Sequence, residues 1–537
     1  METLAYPDPL LRTAVEEFGI PYLYPFQRLV LSNVIEALDV HAEGKTADVS
    51  DLHDRQIVIL PTGAGKSLCF QIPARMRPGL TVVVFPILSL IADQARRLEE
   101  TGWKPHTLTG GTAPAARREL WEKLSRESRS MLLTNPESTI SPRVRRRLRE
   151  VGIAHLVIDE AHCVTEWGES FRPAYRSLAQ LIEETAPQVV TAFTATASPR
   201  IIDDLRELLF DGKAHLIQAD PDRPNISYAV LPTLSKRRTL RLLYAEDRFA
   251  EVRPAGVGPA EVGPAEPEEG GTNLATVGPH GPAPLPSILF CRSRGEAERS
   301  AAYLREFLPA RRVFFYHAGL SREEKRRVEA WFFSSENGIL TSTCAYGMGV
   351  DKKNIRSVIH LRPASSVESY LQESGRGGRD RAPAQAALIL GPSDLVDIEE
   401  PENRRLSNYL LPLLAGPCRR EALLNALGAE NESCTGCDRC NKTAVVAKQP
   451  RHPAGRQRWW PGLRGSSLEA VLIGKRNPGV MESRGFLSPY WKRCSGWRLE
   501  EMKEALEERG RLDRLRTTAE STPEGRLTPE LLRILFG

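Results

Sequence analysis

Short apolar runs alternate with longer amphipathic stretches over the first part of the chain. Four of these runs are nearly continuous in apolar residues, at 57–60, 81–85, 155–158 and 189–194. Strands that are buried on both faces of a parallel sheet have this pattern. Because helical patterns lie between the runs, the first part of the chain is predicted to consist of βαβ units.

The alternation breaks at 245–286, a stretch rich in Gly, Pro and Glu that contains the near-repeat Val-Gly-Pro-Ala-Glu. Such a composition buries little apolar surface and predicts a flexible insertion. A second series follows, with predicted strands at 287–291, 313–316, 338–341, 357–361 and 386–390. The fold class is therefore predicted to be α/β, with parallel-sheet domains at 1–215 and 216–392, a cysteine-containing module at 393–441 and a further region at 442–537.

Two helices are predicted near the end of the chain. Apolar residues at Leu499, Met502 and Leu506 have helical spacing within 499–509. The run Thr528-Pro529-Glu530 is a favourable helix start, with a capping hydroxyl followed by proline.

Length and composition set the broad class. A chain of 537 residues with 41% hydrophobic and 26% charged residues is expected to be a soluble globular protein of three or four domains. The longest apolar run, 80–92, contains Pro86 and Ser89 and is shorter than the roughly 20 residues of a membrane span. Residues 1–11 lack a signal-peptide pattern, so a cytoplasmic location with reduced thiols is expected.

The net charge of +5 is unevenly distributed. Residues 441–498 hold twelve Lys and Arg against two Asp and Glu, together with Trp459, Trp460, Trp491 and Trp497. Basic charge interleaved with aromatic rings suits the backbone and bases of a nucleic acid. The alternatives are a solvated, poorly folded tail and the core of a small domain.

A phosphate-binding loop is the first candidate site. The predicted strand 56–60 leads through Pro61 into Thr62-Gly63-Ala64-Gly65-Lys66-Ser67, and a helical pattern follows. Glycines allow backbone N–H groups to surround phosphate oxygens, Lys66 can reach the β- and γ-phosphates, and Ser67 can bind Mg²⁺. Leu60 stands at the first glycine position of the strict motif, so a glycine turn without a ligand is the alternative.

Carboxylates follow the predicted strand 155–158. Asp159 is expected to bind the Mg²⁺ that bridges the phosphates, and Glu160 to orient the attacking water. His162 could couple the nucleotide site to the second domain. An Asp-Glu pair in a solvated loop is the alternative.

Four cysteines, Cys418, Cys434, Cys437 and Cys440, predict a metal site. Four thiolates suit a structural, tetrahedral Zn²⁺ in a reducing compartment. An iron–sulfur cluster is the alternative.

These motifs together resemble the RecQ family of superfamily 2 DNA helicases, over about 18–440 without the insertion. The matching blocks are Gln27, 159–163, 167–168, 171–173, 194–197, 222–225, 347–352 and 372–380. The resemblance implies two RecA-like motor domains that bind ATP and Mg²⁺ between them, a zinc module after the motor, and 3′→5′ movement on single-stranded DNA.

The resemblance also implies residue roles. Gln27 and Asp351 would contact the nucleotide. Trp167, Phe171 and Arg172 would contact DNA. Gln372, Arg376 and Arg379 would serve catalysis, with Arg379 favoured as the arginine finger. A surface loop that binds the phosphate backbone is the alternative for the arginines, and core packing is the alternative for Trp167.

Three positions depart from the family pattern. Tyr24 replaces an arginine near Gln27, and Glu169 and Ser170 replace a His-Asp pair. These changes put turnover and strand preference in doubt. The family often carries a winged helix after the zinc module, and 442–537 gives no firm signal of one beyond a candidate helix at 498–512.

The sequence thus predicts an ATP-dependent DNA helicase with ATP, Mg²⁺ and Zn²⁺ as cofactors and no membrane association. The alternatives are a DNA-stimulated translocase or remodeller with little strand separation, a non-catalytic DNA-binding scaffold, and an RNA substrate. Protein partners, oligomeric state and pathway, whether repair, recombination or defence, are not indicated.

Overall fold

The computed structural model describes residues 8–43, 53–61, 63–166, 177–244, 283–346, 352–398, 400, 403–429, 433–442, 497–521 and 526–536. The chain divides into two compact units, one formed mainly by residues up to Asp222 and the other mainly from Arg223 onward. Most of the predicted insertion lies outside the described residues. No helix of the described residues is long and apolar enough to cross a bilayer.

The first unit is built on a seven-stranded sheet in which every pairing is parallel. Its strands are β1 (Arg55–Ile59), β2 (Gly79–Val84), β3 (His106–Leu108), β4 (Arg129–Thr134), β5 (Ile153–Ile158), β6 (Val189–Thr194) and β7 (His215–Gln218). Their order across the sheet is β3-β4-β2-β5-β6-β1-β7. Its helices are α1 (Pro9–Phe18), α2 (Pro25–Ala42), α3 (Leu68–Met76), α4 (Leu88–Glu100), α5 (Pro114–Arg126), α6 (Pro136–Thr139), α7 (Pro142–Val151), α8 (Cys163–Glu166), α9 (Ser177–Thr185) and α10 (Pro199–Phe210).

The second unit holds a six-stranded sheet, again parallel throughout. Its strands are β8 (Ile226–Pro232), β9 (Ser287–Phe290), β10 (Val313–Tyr316), β11 (Ile339–Ser342), β12 (Ser357–His360) and β13 (Ala384–Leu390), in the order β10-β11-β9-β12-β13-β8. Its helices are α11 (Lys236–Tyr244), α12 (Arg294–Arg305), α13 (Arg322–Ser334), α14 (Val367–Ser374), α15 (Pro392–Val396), α16 (Arg404–Ala415), α17 (Arg419–Ala426), α18 (Leu499–Ser521) and α19 (Pro529–Phe536), with a 3₁₀ turn at Ala310–Arg312.

Apolar clusters cover both faces of the first sheet. Val82 and Val84 of β2 belong to one cluster, whereas Val83 between them belongs to another. Successive side chains of a strand point to opposite faces, so both faces of this strand are packed. The predicted α/β class with two parallel sheets is therefore confirmed, and its cause is this two-sided burial.

Nine predicted strands are present, and four strands, β3, β4, β7 and β8, were not predicted. Three of these four lie at sheet edges. An edge strand is paired on one side only and does not need a continuous apolar run. His215 and Gln218, at the two ends of β7, are exposed. β7 begins at the predicted end of the first domain, and pairing with β1 assigns it to the first sheet.

Two helices close the chain, as predicted. The α19 helix starts after Thr528, whose hydroxyl accepts a hydrogen bond from Leu531 N at 3.2 Å. Its apolar residues are buried, and the helix packs against α16 and α18 of the same unit. The described residues between 497 and 536 form only these two helices and contain no strand. Residues 443–496, 522–525 and 537 of the region in which a winged helix was considered lie outside the described residues.

A buried carboxylate joins α18 to α11 and α12 of the same unit. Glu501 is fully buried and forms two hydrogen bonds with Arg241, at 2.6 and 3.0 Å, and accepts a third from Tyr303 Oη at 2.8 Å. Burial raises the pKa of Glu501, but the hydrogen bonds from Arg241, the backbone of Arg498 and Tyr303 outweigh it and lower the pKa below its ordinary 4.5. The neighbouring Glu500 forms an exposed pair with Arg237 at 2.9 Å.

Replacing Glu501 by alanine should lower the free energy of unfolding by about 3 kcal/mol, because the substitution leaves Arg241 without its buried partner. The matched change Glu500→Ala, in the same helical turn, should cost less than about 1 kcal/mol. Urea denaturation measures both. Since the folded pKa of Glu501 is depressed, its contribution is present above pH 4.5 and is lost as the pH falls further. Equal costs for the two variants near neutral pH would contradict this account.

Candidate nucleotide and metal sites

The loop between β1 and α3 has the geometry of a phosphate-binding loop. Gly63 and Gly65 have positive φ angles of 86° and 76°, which L side chains rarely adopt. Ala64 N donates to Pro61 O at 3.0 Å, and Leu68 N donates to Gly65 O at 3.1 Å. The turn therefore leads directly into the N-terminus of α3, where helix dipole and backbone N–H groups favour an anion. Thr62 lies outside the described residues.

Gln27 packs against this loop. Its Nε2 donates to Ala64 O at 2.8 Å, and its Oε1 accepts from Tyr24 N at 2.8 Å. The side chain is buried, so α2 is tied to the phosphate loop through one amide group. Gly65 allows this approach, because a Cβ built there would lie 2.5 Å from Gln27 Nε2. Gln27 thus lies beside the loop, as a nucleotide-contacting residue would.

Asp159 and Glu160 follow β5 at the edge of the sheet from which the phosphate loop also emerges. Lys66 Nζ lies 3.6 Å from Glu160 Oε1, and His162 Nδ1 lies 3.5 Å from Glu160 Oε2. Glu160 has a φ of 49°, which is uncommon for a residue other than glycine. The sheet thus brings the predicted lysine and the predicted catalytic carboxylate together.

His162 is held by β6. Its Nδ1 lies 2.9 Å from Thr194 Oγ1, and Thr194 Oγ1 donates its hydrogen to Thr196 O at 3.0 Å. Since that hydroxyl hydrogen is already donated, Thr194 accepts from a protonated Nδ1. His162 is therefore anchored within the first unit beside Glu160. The predicted coupling of His162 to the second domain stays a prediction.

The donor set at this edge suits Mg²⁺. Among the described residues, Asp159 Oδ1 is buried without a hydrogen-bond partner. Burial and the adjacent Glu160 raise the pKa of Asp159 to about 6. A cation bound beside Asp159 would lower this pKa again, because it stabilises the carboxylate. The Ser67 hydroxyl makes no capping hydrogen bond to α3. Hydroxyl and carboxylate oxygens are the ligands Mg²⁺ prefers, so Ser67 and Asp159 fit a nucleotide-bound magnesium.

The predicted catalytic residues of the second unit lie at the end of α14. Gln372 is half-buried within the helix, and Arg376 and Arg379 lie in the turn that follows it. Arg376 is buried and Arg379 is half-buried. Burial raises the pKa of Tyr346, and the positive charges of Arg376 and Arg379 partly offset this rise. The two guanidinium groups therefore lie near the Tyr346 hydroxyl.

The four predicted cysteine ligands converge. The sulfur atoms of Cys418, Cys434, Cys437 and Cys440 all lie within 4.8 Å of one another. Burial raises the pKa of Cys437, but backbone hydrogen bonds from Cys440 and Arg419 bring it to about 7, which favours the metal-binding thiolate. Burial raises the pKa of Cys418. The arrangement fits a structural tetrahedral ion such as Zn²⁺, and a closed four-sulfur site leaves no open position for catalysis.

The cysteine segment also extends the second sheet. Tyr228 N of the edge strand β8 donates to Gly436 O at 3.3 Å, and Asp438 N donates to Tyr228 O at 2.9 Å. The Asp438 carboxylate accepts from Val230 N and pairs with buried Arg419, both at 3.0 Å. The cysteine segment thereby pairs with part of this sheet edge, at Tyr228 and Val230.

Several predicted residues lie outside the described residues. They are Asp351 and the three predicted DNA contacts Trp167, Phe171 and Arg172. Their roles stay predictions. Conversely, three side chains that touch the arginine loop or its support, Arg223, Asn225 and Arg420, were given no individual role from the sequence. Arg223 and Asn225 stand in the block 222–225, which was the available signal.

Comparison with protein families finds a DEAD/DEAH box helicase domain at residues 24–205 and a helicase conserved C-terminal domain at residues 284–381. The first span lies in the first unit, and the second lies mainly in the second unit. The phosphate loop and the two carboxylates fall in the first domain, and Arg376 and Arg379 fall in the second.

The chain is similar to curated ATP-dependent DNA helicases RecQ. With that of Pasteurella multocida it shares 31% identity over 445 residues, covering 80% of this chain and 63% of the relative. With that of Bacillus subtilis it shares 30% identity over 470 residues, covering 82% of this chain and 72% of the relative. The chain thus spans less than two thirds of the length of the P. multocida protein.

Among solved structures, the DUF1998 helicase MrfA bound to DNA matches with a TM-score of 0.51 and 19% identity. The match covers 80% of this chain and 60% of that chain. At this identity the likeness concerns the fold alone.

Replacing Gly65 by alanine should weaken nucleotide binding about tenfold, because a Cβ strains the positive φ and displaces Gln27. The control is Gly111→Ala, since a Cβ at Gly111 meets nothing within 4 Å. Titration with a fluorescent ATP analogue measures both affinities. An unchanged affinity for Gly65→Ala would contradict the role assigned to the loop geometry.

If the cluster holds a structural metal, replacing Cys437 by serine should remove that metal and lower the free energy of unfolding by more than about 4 kcal/mol, because the site loses a buried ligand. The control is Cys344→Ser, an exposed cysteine outside the cluster. Metal analysis by mass spectrometry and thermal denaturation provide the two readouts. Wild-type protein that contains iron and sulfide instead of zinc would support the iron–sulfur alternative.

Proposed function

The chain belongs to the RecQ family of helicases, and from this premise we propose that it is an ATP-dependent DNA helicase. The observation that carries the proposal is the approach of Lys66 to Glu160 at the carboxyl edge of the first sheet, at 3.6 Å. These two residue types at this position suit phosphate binding and activation of water. DNA as the substrate is supported by the RecQ relatives, which are named as DNA helicases.

In the proposed mechanism, Lys66 and the backbone N–H groups of 63–67 bind the β- and γ-phosphates of ATP. Glu160 orients the attacking water and accepts its proton, and His162 lies beside it, with Nδ1 3.5 Å from Glu160 Oε2. Magnesium, when bound, neutralises phosphate charge. Ser67 and Asp159 would hold it, and Gln27 would contact the base.

Arg376 and Arg379 are proposed to stabilise the charge that develops during hydrolysis, with Arg379 as the arginine finger. Contributions of about 10³–10⁵ in rate are typical for such a residue. Gln372 and Asp351 are proposed to contribute to the same site. Trp167, Phe171 and Arg172 are proposed to contact single-stranded DNA, with 3′→5′ polarity, as the family resemblance implies.

Zn²⁺ is proposed as the occupant of the cysteine cluster, and a reducing, cytoplasmic environment would keep its four ligands available for it. A second function, translocation on DNA with little strand separation, is favoured by one observation. The described residues after 496 form two helices and contain no strand that could act as a separating hairpin.

Replacing Lys66 by alanine should abolish DNA-stimulated ATP hydrolysis and the unwinding of a labelled 3′-tailed duplex, because the phosphates lose their cation. The expected loss in kcat is at least about 10²-fold. Lys104→Ala, which removes an exposed lysine of the same unit, should leave both activities unchanged.

The outcomes separate the functions. Strand displacement that requires Lys66 supports the helicase. DNA-stimulated hydrolysis without displacement of either a 3′-tailed or a 5′-tailed duplex supports the translocase. Displacement of the 5′-tailed duplex alone would contradict the proposed polarity. The absence of hydrolysis with DNA and with RNA would overturn the proposal.

A further inference from the structure

Two side chains at the start of the second unit hold the turn that carries Arg376 and Arg379. We propose that Arg223 and Asn225 are positioning residues for ATP hydrolysis, acting by fixing the backbone of this arginine turn. The inference rests on the proposed function, since it assigns the two arginines of the turn to hydrolysis. Neither Arg223 nor Asn225 is itself proposed to touch the nucleotide.

The guanidinium group of Arg223 binds three backbone carbonyls of the turn. Its Nη1 donates to Gly375 O at 3.0 Å, and its Nη2 donates to Gly377 O at 3.1 Å and Gly378 O at 2.9 Å. Carbonyl oxygens that converge on one point repel one another unless donors lie between them. A planar guanidinium supplies several donors in a fixed fork, whereas a lysine is a single point charge.

Asn225 closes the same turn from the other side. Its Nδ2 donates to Gly378 O and to Ala382 O, each at 2.9 Å, and its backbone O accepts from Ala384 N at 2.9 Å. Gly378 has a positive φ of 55°, and a Cβ there would collide with Asn225 Nδ2. Every donor of the Asn225 side-chain amide is therefore committed to the backbone that flanks Arg379.

A third arginine supports this pair from the cysteine module. Arg420, which is fully buried, donates from Nη1 to the backbone O of Arg223 at 3.1 Å and from Nη2 to Ile226 O. Its guanidinium also lies over the ring of Tyr228, 5.2 Å from the centroid. The segment that carries Arg223 and Asn225 is thus fixed on its opposite side by the residue two positions after Cys418.

These contacts form one continuous path from the cysteine module to the arginine turn. Side chains placed for catalysis depend on backbone set to within a fraction of an ångström, and a misplacement of about 1 Å can cost roughly 10²-fold in rate. Loosening the turn should therefore reduce kcat. It should leave the binding of ATP and DNA nearly unchanged, because the phosphate loop lies in the other unit.

The experiment compares Arg223→Lys with the wild type in DNA-stimulated ATP hydrolysis. We expect kcat to fall about 10- to 100-fold, with KM for ATP and the Kd for single-stranded DNA changed by no more than about twofold. The matched control is Arg299→Lys, an exposed arginine on α12 of the same unit. Asn225→Asp, which replaces the donors by a carboxylate facing two carbonyls, is an independent second variant.

A double-mutant cycle between Arg223 and Arg379 distinguishes a positioning role of Arg223 from a general loss of stability. If Arg223 acts through the turn, Arg223→Lys should reduce kcat by a smaller factor in the Arg379→Ala background than in the wild type. Independent, multiplying losses would overturn the inference, as would an unchanged kcat in Arg223→Lys. Failure of both Arg223→Lys and Asn225→Asp to fold, judged by circular dichroism, would also overturn it. A wild-type protein without ATP hydrolysis would instead refute the proposed function.

Discussion

Parallel strand pairing is the constraint on which the nucleotide site depends. β6 pairs with β1 on one side and with β5 on the other, so the three strands end at one edge of the sheet. Lys66 follows β1, Glu160 follows β5 and Thr194 ends β6. The lysine–carboxylate approach and the hydrogen bond that holds His162 both arise from that adjacency. Burial on both faces favours the pairing, because backbone N–H and C=O groups that are shielded from water must bond to one another.

In the second unit, the edge strand β8 is partly paired with the cysteine segment. An edge strand exposes unpaired backbone groups, and β8 satisfies part of its edge with the cysteine segment through Tyr228. The same short stretch of chain, from Arg223 to Tyr228, therefore contacts the arginine turn on one side and the cysteine module on the other. A metal site that orders the cysteine segment would in this way also order the edge of the sheet that supports the turn.

Acidic residues of α18 form hydrogen bonds with other elements of the second unit. Residues 441–498 are strongly basic, yet the helix that follows presents Glu501, Glu504 and Glu508 to the second unit. These carboxylates accept hydrogen bonds from Arg241, from Ser235 and from the N-terminus of α15. These hydrogen bonds fix the position of the helix more specifically than apolar packing alone, since each carboxylate has its own donors.

The sequence by itself determined the class of the fold, the glycine turn between β1 and α3, the carboxylates that follow β5, and the four cysteines that converge. These features reside in short-range patterns: continuous apolar runs, a glycine turn between strand and helix, and thiols at metal-ligand spacing. It also located the start of α19 from three residues. The strands at sheet edges escaped prediction because their stability comes from a partner strand, which local composition does not reveal.

Only the tertiary structure decided how distant residues act together. Arg223 and Gly377 are far apart in the chain, and no periodicity links a guanidinium to the carbonyls it will bind. The contacts of Glu501 with Arg241 and Tyr303 depend in the same way on three helices, α11, α12 and α18, that lie far apart in the chain. Side-chain hydrogen bonds of this kind are short-range in space and unconstrained in sequence, so they become visible only when the chain is folded.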